Sequence, residues 1–189
     1  MTITLNGTTG ITTPDLSSTA DIDANGSAVL TTASSLASAN LTGTVASGRM
    51  PSGSVLQVVT FTSTTNFSTA SSTPANTQLV LAITPTSATS KVLVLVHHAD
   101  AGKAEHALNG SVRLTRNGTA VFTASATIGR NDSAATNFSG GFDFHFLDSP
   151  ATTSAVTYRT QAWTAENTTR FYLGLLSAYH SITLLEIAG

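Results

Sequence analysis

Every aromatic side chain of this sequence lies at or beyond Phe61, and the first sixty residues hold none. Charge is divided the same way, with only Asp15, Asp21, Asp23 and Arg49 before Lys91. Aromatic rings bury the largest area per residue, so a stretch of Thr, Ser, Gly, Ala and single aliphatics cannot close a dry core alone. Such a stretch gains order only from a neighbouring chain or from the body of its own. The expectation is therefore an extended arm over residues 1–54 and a compact head over residues 55–189. Within the arm, the aliphatics able to meet symmetry mates or a docking partner are Ile3, Leu5, Ile11, Leu16, Ile22, Leu36 and Leu41. Ala33, Leu36, Ala37 and Asn40 fall at helical spacing, which leaves a short helix open there. A flexible Ser/Thr linker is the competing reading.

Composition narrows the function classes. Charged residues make up 10% of the chain, against about 25% in an average soluble domain. Ser and Thr supply about 30% of the positions, which gives a neutral, hydrogen-bonding surface. With a net charge of −2 and only Lys91 and Lys103 as lysines, no basic stripe exists to neutralise phosphates, so nucleic acid is not an expected partner. The absence of Cys excludes disulfides and Cys-ligated zinc. No apolar run reaches the ~20 residues that a spanning helix needs, so membrane insertion is not expected. The opening Met-Thr-Ile-Thr-Leu has no basic, apolar leader pattern, and export is not expected either.

From Val55 onward the periodicity is that of strands. Val55 to Thr62 and Thr77 to Thr84 are β-branched runs. Val92-Leu93-Val94-Leu95-Val96 is apolar on both faces and reads as a central strand covered on both sides. Val112–Arg116, Asn117-Gly118 and Thr119–Ala126 form the strongest hairpin signal in the chain. Phe142, Phe144 and Phe146 alternate with Asp143, His145 and Leu147, which predicts one aromatic face. Strands around Tyr158, over Phe171–Leu176 and over Ser181–Ile187 follow. Eight or nine strands without a convincing long helix imply an all-β fold, a jelly-roll-like β-sandwich.

Several stretches resemble bacteriophage tail-fibre and related virion appendage proteins, particularly those of marine and cyanobacterial phages. They are Leu5-Asn6-Gly7-Thr8-Thr9-Gly10-Ile11, the joint from Asn40 to Val59, Ile83-Thr84-Pro85 through Leu93, and Leu114-Thr115-Arg116-Asn117-Gly118-Thr119. Asp148-Ser149-Pro150-Ala151-Thr152-Thr153 and the closing Ile182-Thr183-Leu184-Leu185-Glu186-Ile187 extend the likeness over almost the full length. The resemblance implies a homotrimeric virion protein whose arm attaches to other virion proteins of the tail, baseplate or capsid. Its head would face outward at the virion surface, after synthesis in the host cytoplasm. It transfers no catalytic residue. An arm of about fifty residues is short for a fibre shaft, so a capsid decoration, head-fibre or baseplate-associated structural protein stands as the alternative.

Candidate chemistry is sparse. His97, His98, Asp100, Glu105 and His106 gather imidazoles and carboxylates within ten residues, yet His97 and His98 sit side by side on a strand and point to opposite faces. No metal site and no cofactor is expected. His145 between Phe144 and Phe146 reads as a histidine on the outer face of a strand. There is no Gly-x-Ser-x-Gly elbow, and no Ser stands out in a Ser-rich chain, so the expectation is a binding protein and not an enzyme. A host-surface glycan or protein would be contacted through an exposed aromatic ring with polar neighbours. Trp163 with Asn167 and Arg170 is the first candidate, Arg130, Asn131 and Asp132 the second, and the loop holding His106 the third. A core or subunit-interface role is the competing reading for Trp163.

Overall fold

The computed structural model describes residues 23–24, 27–28, 45, 47–103, 110–128, 138–164, 170–174 and 179–189. By its contacts the chain divides into two units, Met1–Thr44 and Val45–Gly189. In the first, strand β1 (Asp23–Ala24) pairs antiparallel with β2 (Ser27–Ala28). Ile3, Leu5, Ile11, Leu16, Ile22, Leu36 and Leu41, and the segment at helical spacing, lie outside the described residues.

The second unit is all-β apart from a 3-10 turn at Ser47–Arg49. Its strands are β3 (Val55–Ser63), β4 (Phe67–Thr69), β5 (Ala75–Ile83), β6 (Lys91–Lys103), β7 (Gly110–Arg116) and β8 (Thr119–Ile128). They continue with β9 (Phe138–Asp148), β10 (Val156–Thr164), β11 (Phe171–Leu173) and β12 (His180–Ile187). Every pairing is antiparallel, and four of them nest: β7 with β8, β6 with β9, β5 with β10, and β3 with β12. One long two-stranded ribbon has thus been rolled up, so that its segments fall alternately into two sheets, β3-β12-β6-β9 and β5-β10-β7-β8. That is the jelly roll expected from the sequence. The short β11 and β4 extend the first sheet beyond β6.

At the ribbon's tip, Asn117 (φ 50°) and Gly118 (φ 85°) both take the left-handed conformation that a two-residue hairpin turn requires. The Asn117 side chain fixes this turn to β10 by accepting a hydrogen bond from the Thr157 N–H at 2.8 Å. Strand direction gives the sandwich two distinct ends. The near end holds Val55, Ile187, Lys91, Arg116 and Val156. The far end holds Ser63, Lys103, Gly110, Ile128, Phe138, Thr164 and His180.

The inner faces meet in a core of Leu79 and Ile83 (β5), Val92, Val94 and Val96 (β6), Leu114 (β7), Val156 and Tyr158 (β10), and Ile182 and Leu184 (β12). Towards the far end, a second cluster centres on Val112, Ala162, Phe171 and Leu173. There the Phe171 ring lies against Gly110, where any Cβ would collide with it. Phe142, Phe144 and Phe146 turn inward as their alternation predicted, and Phe146 stacks on Phe122 with centroids 5.0 Å apart. Glu186 is fully buried, but Gln57 Nε2 (2.6 Å) and the Thr86 backbone and hydroxyl (2.7 and 2.8 Å) donate to it. Burial alone would raise its pKa; the surrounding donors, Gln57 and Thr86 among them, reverse this and hold it below the ordinary value.

One expectation needs correction. β6 is central, with β12 on one side and β9 on the other, but among the described residues only its inner face is covered. Leu95 remains 40% exposed, because no described element packs on the outer face of that sheet. Register places Val58, Leu185, Leu93 and Leu147 there as one row across four adjacent strands. The continuous apolar run of β6 therefore reflects two surfaces, one facing the core and one facing outward.

Candidate functional site

The outer face of the four-stranded sheet carries a group of polar side chains. β10 alternates strictly, burying Val156, Tyr158, Thr160, Ala162 and Thr164 and turning Thr157, Arg159, Gln161 and Trp163 outward. Trp163 is half-buried and belongs to neither core cluster. Register sets Gln161 opposite Arg113 and Trp163 opposite Ser111. The Arg113 guanidinium lies 5.6 Å from the Trp163 ring centroid, and its Nε donates to Gln161 Oε1 at 2.8 Å. Gln161 Nε2 in turn donates to Asn76 Oδ1 on β5 at 2.7 Å. An ordered row, Trp163–Arg113–Gln161–Asn76, therefore crosses three strands. Cation–π contact and the amide relay fix the guanidinium plane.

Beside this row a groove of about 290 Å³ is lined by Asn76, Thr115, Asn117, Thr157, Arg159 and Gln161. That is near the lower limit of small-molecule pockets, room for part of an extended ligand and not for the whole of one. Gln78, outward on β5, has both amide atoms closed to solvent without a hydrogen-bond partner among the described residues. The arrangement offers an aromatic face, fixed amides, hydroxyls and two guanidinium groups. Among these residues no nucleophile stands beside a base.

Of the residues singled out from sequence, only Trp163 is placed in this row. Arg170 is exposed just before β11, a strand of the other sheet. Asn167, Arg130, Asn131, Asp132 and His106 lie outside the described residues. The described strand ends that flank 104–109, 129–137 and 165–169 nevertheless all sit at the far end, the end on which Trp163 stands. Arg113, Gln161, Asn76 and Arg159 were missed. Their alternation with buried neighbours was readable strand by strand, but their meeting depends on the β5–β10–β7 register, a long-range pairing with no local signal.

No family model matches the sequence, and no curated protein matches it. Among solved structures, the chain is similar to infectious bursal disease virus Gt strain at 14% identity and TM-score 0.32, over 72% of this chain and 39% of that one. It is also similar to a mutant VP2 protein of infectious bursal disease virus in derived T=1 particles, at 12% identity and TM-score 0.34, over 78% and 40% of the two chains. Another structure of such T=1 particles gives 12% identity and TM-score 0.33, over 79% and 41%. This chain thus spans about two fifths of the length of those chains, and likeness this distant carries no functional argument.

Two histidine groups lie in the other sheet. His97 is half-exposed on the outer face and pairs through Nδ1 with Asp143 across the β6–β9 ladder, and His145 is exposed on the same face. His98 points inward instead, fully buried, with Nδ1 3.3 Å from Nδ1 of the equally buried His180. The two imidazoles therefore do diverge, as adjacent strand residues must. Among the described residues, no three His, Asp, Glu or Cys side chains converge as a metal site needs. Burial, then the neighbouring His180 and His97, push the His98 pKa down to about 3. Burial first, and His97 next, lower that of His180 against an opposing pull from Asp100.

Proposed function

We propose that this chain is a bacteriophage virion protein, a short homotrimeric tail fibre. Residues 1–54 would attach it to other virion proteins, and the jelly-roll head would bind a host-surface glycan at the virion surface, without catalysing a reaction. The observation that carries the binding half is the Trp163–Arg113–Gln161–Asn76 row on the outer face of β10, β7 and β5. An aromatic face framed by fixed hydrogen-bonding groups is what a sugar ring needs for stacking and for pairing its hydroxyls. The ordered motifs along the chain support the virion half. Three copies of a weak site would add avidity.

The trimer has its own support in the aliphatic row Val58–Leu185–Leu93–Leu147 with Leu95 beside it. Its exposed members would leave water if another copy covered them. At its border His97 and Asp143 pair with each other across the β6–β9 ladder. The same surface favours a second reading, a capsid decoration or baseplate-associated protein that clamps neighbouring subunits and binds no receptor.

Trp163 is the sole tryptophan of the chain, so its emission reports on the site directly. Titration of the full chain with purified host-surface polysaccharide should change that emission saturably, and a Trp163→Ala chain should lose retention on host cells. Unchanged emission, together with normal adsorption by particles lacking the protein, would overturn the attachment reading in favour of decoration.

A further inference from the structure

Resting on the glycan-binding reading, we propose that the face carrying Trp163 selects acidic saccharides, sugars whose carboxylate pairs with Arg113 and Arg159. The charge inventory of the sheet leads there. None of β5, β7, β8 and β10 contains an Asp or Glu, although they carry Arg113, Arg116 and Arg159. Arg116 is neutralised from the other sheet, where Asp148 accepts two bonds from its Nη1 at 2.8 and 2.9 Å. Arg113 and Arg159 receive no carboxylate among the described residues. A chain of net charge −2 therefore places on one sheet face two guanidinium groups that no described carboxylate compensates.

Register makes these two residues neighbours. Arg159 faces Thr115 and Gln161 faces Arg113, so Arg159 and Arg113 stand diagonally on adjacent strands, both outward. Like charges at that spacing repel in the free protein, and a bound anion relieves the repulsion. Arg113 is held by its Nε bond to Gln161 and by the Trp163 ring, which leaves its terminal nitrogens to form a two-pronged pair with a carboxylate. The Arg159 side chain makes no hydrogen bond or ion pair among the described residues and borders the polar groove. A sugar acid stacked near Trp163 would set its carboxylate between the guanidinium groups and its hydroxyls against Asn76, Gln161 and Thr157. Neutral sugars would use the stack and the amides alone.

The test uses the full chain and Trp163 emission, with oligomers of galacturonate, glucuronate and mannuronate as probes and the same oligomers methyl-esterified as uncharged controls. At least one free acid should bind about tenfold or more tightly than its ester, and the advantage should shrink as salt screens the charges. Arg113→Gln and Arg159→Gln should each remove most of that advantage. Unaltered thermal midpoints would show that these variants still fold, and R159Q, outside the Trp163 stack, keeps the test open if R113Q does not. Equal binding of acids and esters would overturn the acidic preference and leave glycan binding standing. Binding of neither set would overturn both.

Discussion

The Tyr158 hydroxyl donates to Asp148 Oδ2 at 2.6 Å, from the four-stranded sheet to the last residue of β9 in the other sheet. Arg116 Nη1 reaches both oxygens of the same carboxylate, so β7, β9 and β10 are tied at the near end by a single acid. Burial and the Asp148 carboxylate both push the Tyr158 pKa up, which keeps the phenol a donor throughout the physiological range. Tyr158→Phe should cost about 1–2 kcal/mol, the worth of one buried bond to a charged acceptor. Asp148→Ala should cost more, about 2–3 kcal/mol, because it strands two donors at once. Denaturant unfolding of the two variants gives the comparison, and equal losses would refute the shared-acceptor account.

The buried histidine pair predicts a one-sided pH response. Both rings stay neutral in the folded head while the unfolded chain takes up protons below the ordinary value of 6.5. The unfolded state then binds more protons, so stability rises with pH across that window. It should be fully present above pH 6.5 and fall from there towards pH 3, by at most about 1.4 kcal/mol per pH unit for each ring. Glu186 adds its own loss only below about 4.5, its ordinary value, so the interval between 6.5 and 4.5 belongs to the imidazoles. Thermal melts across that interval, repeated with His98→Gln, check this; the variant should show a flatter slope.

Gln161 is a positioning residue for Arg113. Gln161→Leu should weaken binding of an acidic oligosaccharide about three- to tenfold while leaving stability within about 1 kcal/mol. Because Arg113 would lose its Nε partner and its fixed place over the ring, Trp163 emission of the free chain should shift as well. A binding loss without that shift would mean that Gln161 acts by direct contact.

The outer face of the six-stranded sheet predicts an oligomer. Light scattering of the intact chain should give three times its 19.3 kDa mass. Leu95→Asp or Leu147→Asp, at positions 40% and 49% exposed in the single chain, should lower that mass with little effect on the fold. A wild-type monomer at micromolar concentration would remove the trimer from the proposal.

Much of the architecture was legible in the amino-acid pattern. Asn117-Gly118 announced its hairpin through turn chemistry alone, and the three alternating phenylalanines of β9 announced which side faces inward. β4 escaped notice because three residues, Phe67 to Thr69, are too few to show a period. The proposed binding row was half visible. Trp163 is conspicuous as a lone large ring beside polar residues, whereas Arg113 and Asn76 lie 50 and 87 positions away in sequence and join it only through strand pairing. The double cover expected for β6 is not found among the described residues, for a related reason. An apolar run records that both sides avoid water, but not whether the same chain supplies the cover.

The nested pairing separates what must be kept from what can vary. The described registers of β7 with β8, β6 with β9, β5 with β10 and β3 with β12 draw on none of residues 104–109, 129–137 and 165–169, which join strands at the far end. A lineage, or an engineer, could retarget such a head by swapping those segments while the scaffold stays as it is.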